Sequence, residues 1–397
     1  MPLHSLRPSH APSRGWLLAL ALSLTTAGTA RGEDSAPGEV LRSIISTERG
    51  EVATSVVELP DGDFLLAGYE YDTVDGEWDA LVLRVTPDGK QIWRRSSDRA
   101  GSDYAWVVRP LDDDRFVVVG TRTTDEGDAA GTMQCIDGDG KEIWARNYGG
   151  AKSEIFWSAD QAPDGGFFLA GQTDSEGAGG LDFYLVRTDR EGREQWSRTF
   201  GGPETDRALG VVATTDGGAL VVGFHGVYPD SMDTLLLRVD GAGNELWRRS
   251  LTGDGFDVAH RVLRTDAGDF IVTGYSASFG PGDQEGLLMG VTAEGRVRWI
   301  RFYGDSDDDR VLHSTPLPDR GLASVGYSRH QGGPDWDLVV RRVDKHGILL
   351  WEHREGGPFP DMGKDIIVAR DGSLIVVGGT RSEHPPHDDI IMLRIRE

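Results

Sequence analysis

Hydrophobic residues fall into short runs along the chain, and a polar or glycine-containing segment separates each run from the next. The run from Phe64 to Ala67 ends at Gly68, and the pattern recurs from Phe116 to Gly120. Short runs rich in β-branched and aromatic residues between turn residues are typical of β-strands. Since no stretch after the N-terminal region has a helical pattern, the sequence predicts an all-β fold.

These runs repeat at intervals of about fifty residues, and two residue types mark the period independently. Tryptophan marks six positions, which are Trp93, Trp144, Trp196, Trp247, Trp299 and Trp351. Glycine marks seven, which are Gly68, Gly120, Gly171, Gly223, Gly274, Gly326 and Gly378. Each unit contains four predicted strands, with tight hairpin turns between the first and second and between the third and fourth.

Four antiparallel strands in each unit predict a propeller blade, and seven such blades can close into a ring with short, protected edges. The position of the missing seventh tryptophan falls on Leu41, and the last unit ends with its third strand, at Ile390 to Ile395. We therefore predict a seven-bladed β-propeller over residues 40–397. In this fold an N-terminal strand at residues 40–46 supplies the fourth strand of the last blade.

The N-terminal region has the order of features found in secretory signal peptides. Two arginines precede an apolar run from Trp16 to Leu24, and small residues follow up to Ala30. An uncleaved membrane anchor is disfavoured, because the apolar run is shorter than the roughly 20 residues of a membrane span. We predict a signal peptide over residues 1–30, a short disordered leader over residues 31–39, and a secreted or periplasmic protein without a membrane span after cleavage.

The chain is acidic, with 65 acidic and 41 basic residues and a formal net charge of -24. Electrostatic repulsion opposes binding to a phosphate backbone, so nucleic acid is excluded as a partner. Cys135 is the single cysteine, which excludes an internal disulfide and a cysteine-built metal site. Five other blades have arginine at its position, and we interpret Cys135 as a substitution and not as a nucleophile. We expect a monomer.

An acidic residue lies ten positions after each tryptophan position, between the outer strand of one blade and the inner strand of the next. Because strand direction alternates, these crossings share a face with the loops between second and third strands. Each carboxylate either accepts backbone N–H bonds and ties neighbouring blades, or contributes to a ring that binds a divalent cation such as Ca²⁺ or a cationic ligand. No other cofactor is predicted. The seven residues are Glu51, Asp103, Glu154, Asp206, Asp257, Asp309 and Asp361.

Three residues after each acid the blades diverge in sequence, which points to a role other than packing. Two adjacent blades have tryptophan there and could form an aromatic platform for a sugar ring or a peptide. The alternative is that both indoles fill the core between blades. The long loops of the same face add further tryptophans, and recognition usually lies on such loops. The candidate ligand-binding residues are Trp106, Trp157, His260, Lys364, Trp78 and Trp336.

The segment from Asp137 to Trp144 resembles the strand-turn-tryptophan repeat of quinoprotein-like propellers and of outer-membrane assembly lipoprotein propellers. Asp164 to Phe167 resembles the Asp-Gly-Gly-Phe strands of exported bacterial propeller repeat proteins. The resemblance implies the fold and transfers no cofactor residue. We predict a non-catalytic binding or scaffold protein that recognises a protein or glycan on its loop-rich face. The alternative is a polysaccharide-acting hydrolase or lyase with an acidic channel-mouth site and Ca²⁺, although no catalytic motif assigns catalytic residues.

Overall fold

The computed structural model describes residues 37–47, 49–73, 76–97, 100–112, 114–124, 127–227, 231–280, 283–304, 307–329 and 335–397. The predicted signal peptide lies outside these residues. Within them, no helix has the length and apolar character needed to cross a membrane. The described chain forms 28 strands in seven four-stranded antiparallel sheets, which confirms the predicted all-β, seven-bladed propeller.

Six blades are continuous in sequence, and their strands run from inner to outer in chain order. Blades 1 and 2 contain β2 (Gly50–Glu58), β3 (Phe64–Tyr71), β4 (Trp78–Val85), β5 (Gln91–Ser96), β6 (Tyr104–Pro110), β7 (Arg115–Thr123), β8 (Ala129–Asp137) and β9 (Glu142–Tyr148). Blades 3 and 4 contain β10 (Glu154–Gln161), β11 (Phe167–Thr173), β12 (Asp182–Thr188), β13 (Glu194–Phe200), β14 (Thr205–Ala213), β15 (Ala219–Val227), β16 (Ser231–Val239) and β17 (Glu245–Leu251). Blades 5 and 6 contain β18 (Asp257–Arg264), β19 (Phe270–Ser276), β20 (Glu285–Val291), β21 (Val297–Tyr303), β22 (Asp309–Pro316), β23 (Leu322–Arg329), β24 (Trp336–Val343) and β25 (Leu349–Glu355).

Blade 7 joins the two ends of the described chain, as predicted. Its strands are β26 (Asp361–Val368), β27 (Leu374–Thr380), β28 (Asp389–Arg396) and β1 (Glu39–Ile45). Leu41 pairs with Arg394 in the same register in which Trp93 pairs with Arg84, so Leu41 stands at the tryptophan position. β1 begins one residue before the expected boundary.

The repeated glycine is explained by a close approach between the first two strands of each blade. At Gly120, an added Cβ would lie 1.8 Å from the carbonyl oxygen of Tyr104, a distance no side chain can adopt. The other six glycines would meet the corresponding carbonyl at 1.7 to 1.9 Å. Glycine is therefore required by the geometry of every blade.

The repeated tryptophan joins one blade to the next. The Trp196 indole Nε1–H donates to the Gly241 carbonyl oxygen at 3.1 Å, in the last turn of blade 4. The ring also lies where a side chain at Gly243 would be, 3.0 Å from an added Cβ. Trp93 makes the same contacts with the corresponding turn of blade 2. The residue that marks the repeat in sequence thus packs between blades.

Candidate functional site

The divergent position of each blade is a β-bulge in the inner strand. In all seven inner strands the pairing with the second strand skips this one residue. A bulge leaves its residue unpaired and re-aims the side chain. We call these residues the bulge layer, and they are Thr54, Trp106, Trp157, Leu209, His260, Leu312 and Lys364.

Contacts between distant blades place the bulge layer in the central channel. The Arg261 guanidinium of blade 5 donates to the Trp157 carbonyl oxygen of blade 3 at 2.9 Å and also to the Leu209 carbonyl of blade 4. The Thr54 hydroxyl of blade 1 donates to the Ala105 carbonyl of blade 2 at 2.8 Å. Because the inner strands contact one another in order around the ring, the bond from Arg261 to Trp157, which joins blades 5 and 3, crosses part of the space that the strands enclose.

Trp106 and Trp157 meet, and more aromatic rings continue from them towards the loop-rich face. The two indole centroids lie 4.6 Å apart, and Tyr104 stacks on Trp106 at 5.3 Å. Tyr69 lies 5.6 Å from Trp106 and 5.2 Å from Trp78. All these rings are half-buried. We call the group the aromatic cluster, and it consists of Tyr69, Tyr71, Trp78, Tyr104, Trp106 and Trp157.

The indole N–H groups of Trp106 and Trp157 are buried and have no hydrogen-bond partner in the described part of the chain. An unpaired buried donor is unfavourable by about 1–3 kcal/mol. Sequence reasoning found these two indoles through their divergence between blades, but it missed the tyrosines. Tyr69 directly follows Gly68, one of the seven repeated glycines. Its position in the repeat was the sequence signal that could have identified it as a site residue.

Two of the three remaining candidates, Trp336 and Lys364, lie around Tyr327 in a second group that we call the cationic cluster: Arg310, Tyr327, Arg329, Trp336 and Lys364. Arg310 donates to the Tyr327 hydroxyl at 3.0 Å, and its guanidinium lies 5.6 Å from the Trp336 ring. Lys364 Nζ lies 5.7 Å from the Tyr327 ring, and Arg329 lies 4.7 Å from the Trp336 ring. The structure thus groups Trp336 and Lys364 around Tyr327, whereas Trp78 belongs to the aromatic cluster.

Burial and neighbouring positive charge lower the pKa values of the two basic residues in the bulge layer, His260 and Lys364. Burial, reinforced by Arg310, lowers the pKa of Lys364 to about 8. Burial also holds the pKa of His260 well below its ordinary value, with the charges of Arg261 and Lys364 acting in the same direction. The His260 ring is therefore neutral at pH 7. Lys364 remains mostly protonated there.

A cavity of about 820 Å³ occupies the channel beyond the bulge layer, towards the face with the tight turns. His313 and Asp365 line it, with His313 Nδ1 at 2.5 Å from Asp365 Oδ1. Burial opposes ionisation of Asp365, but His313, Arg109 and the Val56 N–H outweigh it and lower its pKa to about 2. None of the predicted site residues lines this cavity, which lies on the opposite side from the long loops.

The seven acidic residues after the tryptophan positions are buried, with at most 5% of each exposed. Glu154 shows a typical arrangement, since it accepts from the Gly150 N–H at 3.0 Å and from the Thr173 hydroxyl at 2.6 Å. Asp361 accepts from the Gly357 N–H at 3.0 Å and the Ser382 hydroxyl at 2.8 Å. These two carboxylates tie the incoming crossing to the end of the second strand of their own blade, a geometry that favours the architectural interpretation.

The backbone at the same positions makes the link to the preceding blade. The Asp103 N–H donates to the Trp78 carbonyl at 2.6 Å, and the Asp206 N–H donates to the Leu181 carbonyl at 2.7 Å. No group of three or more His, Cys, Asp or Glu side chains in the described ranges is arranged to hold a metal ion. Binding of Ca²⁺ remains a prediction.

Cys135 occupies a buried site that carries an arginine in five of the six other blades. In blade 3 the Arg187 guanidinium makes two bonds to the Asp164 carboxylate, at 2.5 and 2.6 Å. In blade 2 the cysteine makes no such pair, and Arg115 instead bonds to Asp112 within the turn. Burial raises the pKa of the Cys135 thiol, which disfavours the reactive thiolate.

No protein-family model and no curated protein matches the sequence. Among solved structures, the chain is similar to Sqt1 from Chaetomium thermophilum, with 12% identity, a TM-score of 0.50 and coverage of 88% of this chain and 97% of that one. It is also similar to the Neurospora crassa Pan2 WD40 domain, with 9% identity, a TM-score of 0.50 and coverage of 88% and 97%. The quinohemoprotein alcohol dehydrogenase from Comamonas testosteroni gives 10% identity, a TM-score of 0.46 and coverage of 89% and 76%. At these identities the first two similarities show the propeller fold alone.

Proposed function

We propose that the chain is a secreted or periplasmic, non-catalytic propeller that binds a glycan or a protein at the loop-rich mouth of its channel. The observation that carries the proposal is the aromatic cluster, whose half-buried rings run continuously across blades 1 to 3. Aromatic faces offer large contact areas at low entropic cost, and a sugar ring or a protein side chain can stack on them.

The arrangement of polar groups supports binding at the same place. The unpaired indole N–H groups of Trp106 and Trp157 lie in the bulge layer, where a water or a ligand oxygen would satisfy them after a small side-chain movement. The two indoles also differ from the leucines at the equivalent positions of blades 4 and 6, Leu209 and Leu312. The propeller fold is therefore compatible with leucine at this position, and folding alone does not require the two indoles.

The equivalence of Trp106 and Trp157 to leucines in other blades allows a test of the proposed binding site. A double variant, Trp106→Leu with Trp157→Leu, places in blades 2 and 3 the residue that blades 4 and 6 already carry. We expect it to fold and to lose glycan-array signal and envelope proteins retained in a pull-down by about tenfold or more, the scale of a lost aromatic contact. Trp196→Leu, on an outer strand, is the matched control and should retain binding.

Unchanged binding by a folded double variant would overturn the proposed site. Circular dichroism and the thermal midpoint establish folding in both variants. The same samples also address the alternative function, because release of shorter fragments from a bound polysaccharide would favour a hydrolase or lyase. Three acidic residues, Glu58, Asp160 and Asp365, line the turn-face cavity and would be available to such an enzyme. Burial raises the pKa of Asp160, whereas the pKa of Asp365 is lowered.

A further inference from the structure

We infer that the ligand of the loop-rich mouth is a glycan with a terminal acidic sugar residue, whose carboxylate binds Lys364 and Arg310 while its ring stacks on the aromatic cluster. This inference rests on the proposed function and adds the chemical class of the ligand. It follows from the charges that the inner strands of blades 6 and 7 present to the mouth.

Lys364 and Arg310 are cations that have no anionic partner among the residues that the structure describes. Elsewhere in the described structure, Arg341 pairs with Asp309 at 2.9 Å and Arg238 with Asp216 at 2.7 Å, whereas the buried Arg261 bonds to backbone carbonyls. Arg310 instead bonds to a tyrosine hydroxyl and lies 4.4 Å from the Tyr275 ring. Lys364 makes one polar contact, to the Met362 sulfur at 3.7 Å. Partly buried cations left unpaired are costly, and a bound anion would remove that cost.

Within the described residues, the Lys364 ammonium contacts no carboxylate. His260 of blade 5 and Arg310 of blade 6 face it, and the His260 ring is neutral. Asp388 is the carboxylate whose charge acts on Lys364. However, Arg381 holds Asp388 through two hydrogen bonds, at 3.1 and 3.0 Å. Lys364 therefore lacks a direct carboxylate contact that a ligand would have to displace.

The cationic and aromatic clusters lie on neighbouring blades. Lys364 is on the inner strand of blade 7, which contacts the inner strand of blade 1. The Asp388 carbonyl of blade 7 accepts from the Glu51 N–H at 2.7 Å, and a Cβ added at Gly50 would lie 3.6 Å from the Asp388 nitrogen and 3.7 Å from Tyr71 of the aromatic cluster. A ligand at the mouth of the channel can therefore contact aromatic faces of the aromatic cluster and cations of blades 6 and 7.

The chemistry of the cationic cluster and the aromatic cluster together favours an acidic sugar. The guanidinium of Arg310 offers a fork suited to a carboxylate, and the Lys364 ammonium adds a point charge. A neutral sugar would leave both cations unpaired. The net charge of -24 repels a long polyanion. Because charges are screened beyond about 8 Å at physiological salt, a single acidic residue at a chain end avoids most of that repulsion.

Titration calorimetry with the purified protein tests the inference. The ligands are oligosaccharides that end in glucuronate, galacturonate or sialate, the matching neutral oligosaccharides, a sulfated counterpart and an acidic hexapeptide. We expect the carboxylated sugars to bind about tenfold or more tightly than the neutral ones, the range of a charge-assisted hydrogen bond. The preference should fade between pH 7 and pH 9, because Lys364 loses its proton near pH 8.

Variants test whether Lys364 and Arg310 cause the preference for carboxylated sugars. Lys364→Leu, with the residue of blades 4 and 6 at that position, should remove the preference for carboxylated sugars and leave binding of neutral ones. Arg310→Gln should weaken the preference in the same way. Lys345→Gln, an exposed turn residue, is the charge-matched control and should change nothing.

The outcomes separate this inference from the proposed function. Equal binding of carboxylated and neutral sugars, or an unchanged preference in Lys364→Leu, overturns the acidic ligand and leaves the glycan-binding proposal intact. If the sulfated sugar binds more tightly than the carboxylated one, the inference that the site recognises a carboxylate is overturned. Binding of the hexapeptide without binding of any sugar overturns the inference and indicates a protein partner. Binding of no ligand at all, together with an unaffected pull-down by the Trp106 and Trp157 double variant, overturns both proposals.

Discussion

Lys364 illustrates, at the scale of one residue, a conflict between stability and binding. Burial and Arg310 lower its pKa from 10.5 to about 8. The unfolded chain therefore binds more protons than the folded chain between about pH 8 and pH 10.5, so the free energy of unfolding rises with pH across that window. Below pH 8 the folded state carries the full cost of the buried charge.

We predict that Lys364→Leu stabilises the protein at pH 7. The fall in the pKa from 10.5 to about 8 corresponds to an increase in the free energy of unfolding of about 3 kcal/mol, because each tenfold change in proton affinity is worth about 1.4 kcal/mol. The difference from the wild type should shrink as pH rises from 8 and disappear near pH 10.5. Urea denaturation at pH 7, 8.5 and 10.5 measures it, with Lys345→Gln as the reference. A variant less stable than the wild type at pH 7 would contradict the assignment.

Contacts of individual residues were the least predictable feature from the sequence. The divergence at Trp106 and Trp157 was visible because the repeat aligns them with other residues, and the structure places both indoles together. The pairing state of Lys364 and Arg310 was not visible, since it depends on which carboxylates three blades bring near. The cavity beside His313 and Asp365 was missed for the same reason.

At the scale of the element, β1 differs from the other outer strands. In blades 1 to 4 the outer tryptophan packs on the next turn and lies under an arginine two residues later, as Trp93 does under Arg95 at 5.3 Å. In β1 the equivalent residue is Leu41, which is 44% exposed. Ser43 reaches the next turn through a hydrogen bond to the Asp88 carbonyl at 2.9 Å. The closing strand therefore lacks the ring that covers the next turn in the other outer strands compared.

We predict that Leu41→Trp strengthens the closing strand. The indole would cover the turn at Gly89 as Trp93 covers Gly140, and the added apolar burial corresponds to about 1 kcal/mol. The thermal midpoint and chemical denaturation measure the gain. Leu246→Trp places the same ring on an exposed outer-strand position beside Trp247 and should give no gain. Equal effects of the two substitutions would refute a specific contact.

Strands and hairpins were predictable at this scale, whereas the bulges were not. Each strand has a local signal in its hydrophobic run, and each hairpin has one in its turn residues. A bulge residue has no characteristic side chain, and the seven range from Thr54 to Lys364. Its signal lies across the sheet, in the glycine whose missing Cβ lets the inner strand approach.

For the whole molecule, closure depends on the pairing of β1 with β28. The two strands pair over seven residues, and the Arg396 guanidinium bonds to Glu39 at 2.7 Å. The number of blades and the identity of the closing strand followed from counting repeats, because a ring leaves no alternative partner for an incomplete unit. The ligand did not follow, since a propeller fold is compatible with many functions.

We predict that a circular permutant tolerates relocation of the chain ends, whereas deletion of residues 37–45 does not. Joining Glu397 to Gly38 through a short turn and opening the turn at Ala242 keeps every strand pair, and the thermal midpoint should change by a few degrees at most, about 1 kcal/mol. Deletion exposes the edge of β28 and should cause aggregation, seen by size-exclusion chromatography. A monomeric, cooperatively unfolding deletion variant would show that closure is dispensable.

The placement of the closing strand has a consequence for biosynthesis. Glu39 leaves the ribosome early, and its partner Arg396 follows 357 residues later. At about 5–20 residues per second, the nascent strand waits roughly 20 to 70 seconds for its partner. During that time the other six blades can assemble in order while the first strand remains unpaired. A chaperone that shields this segment would therefore raise the yield of native protein without touching any other part of the ring.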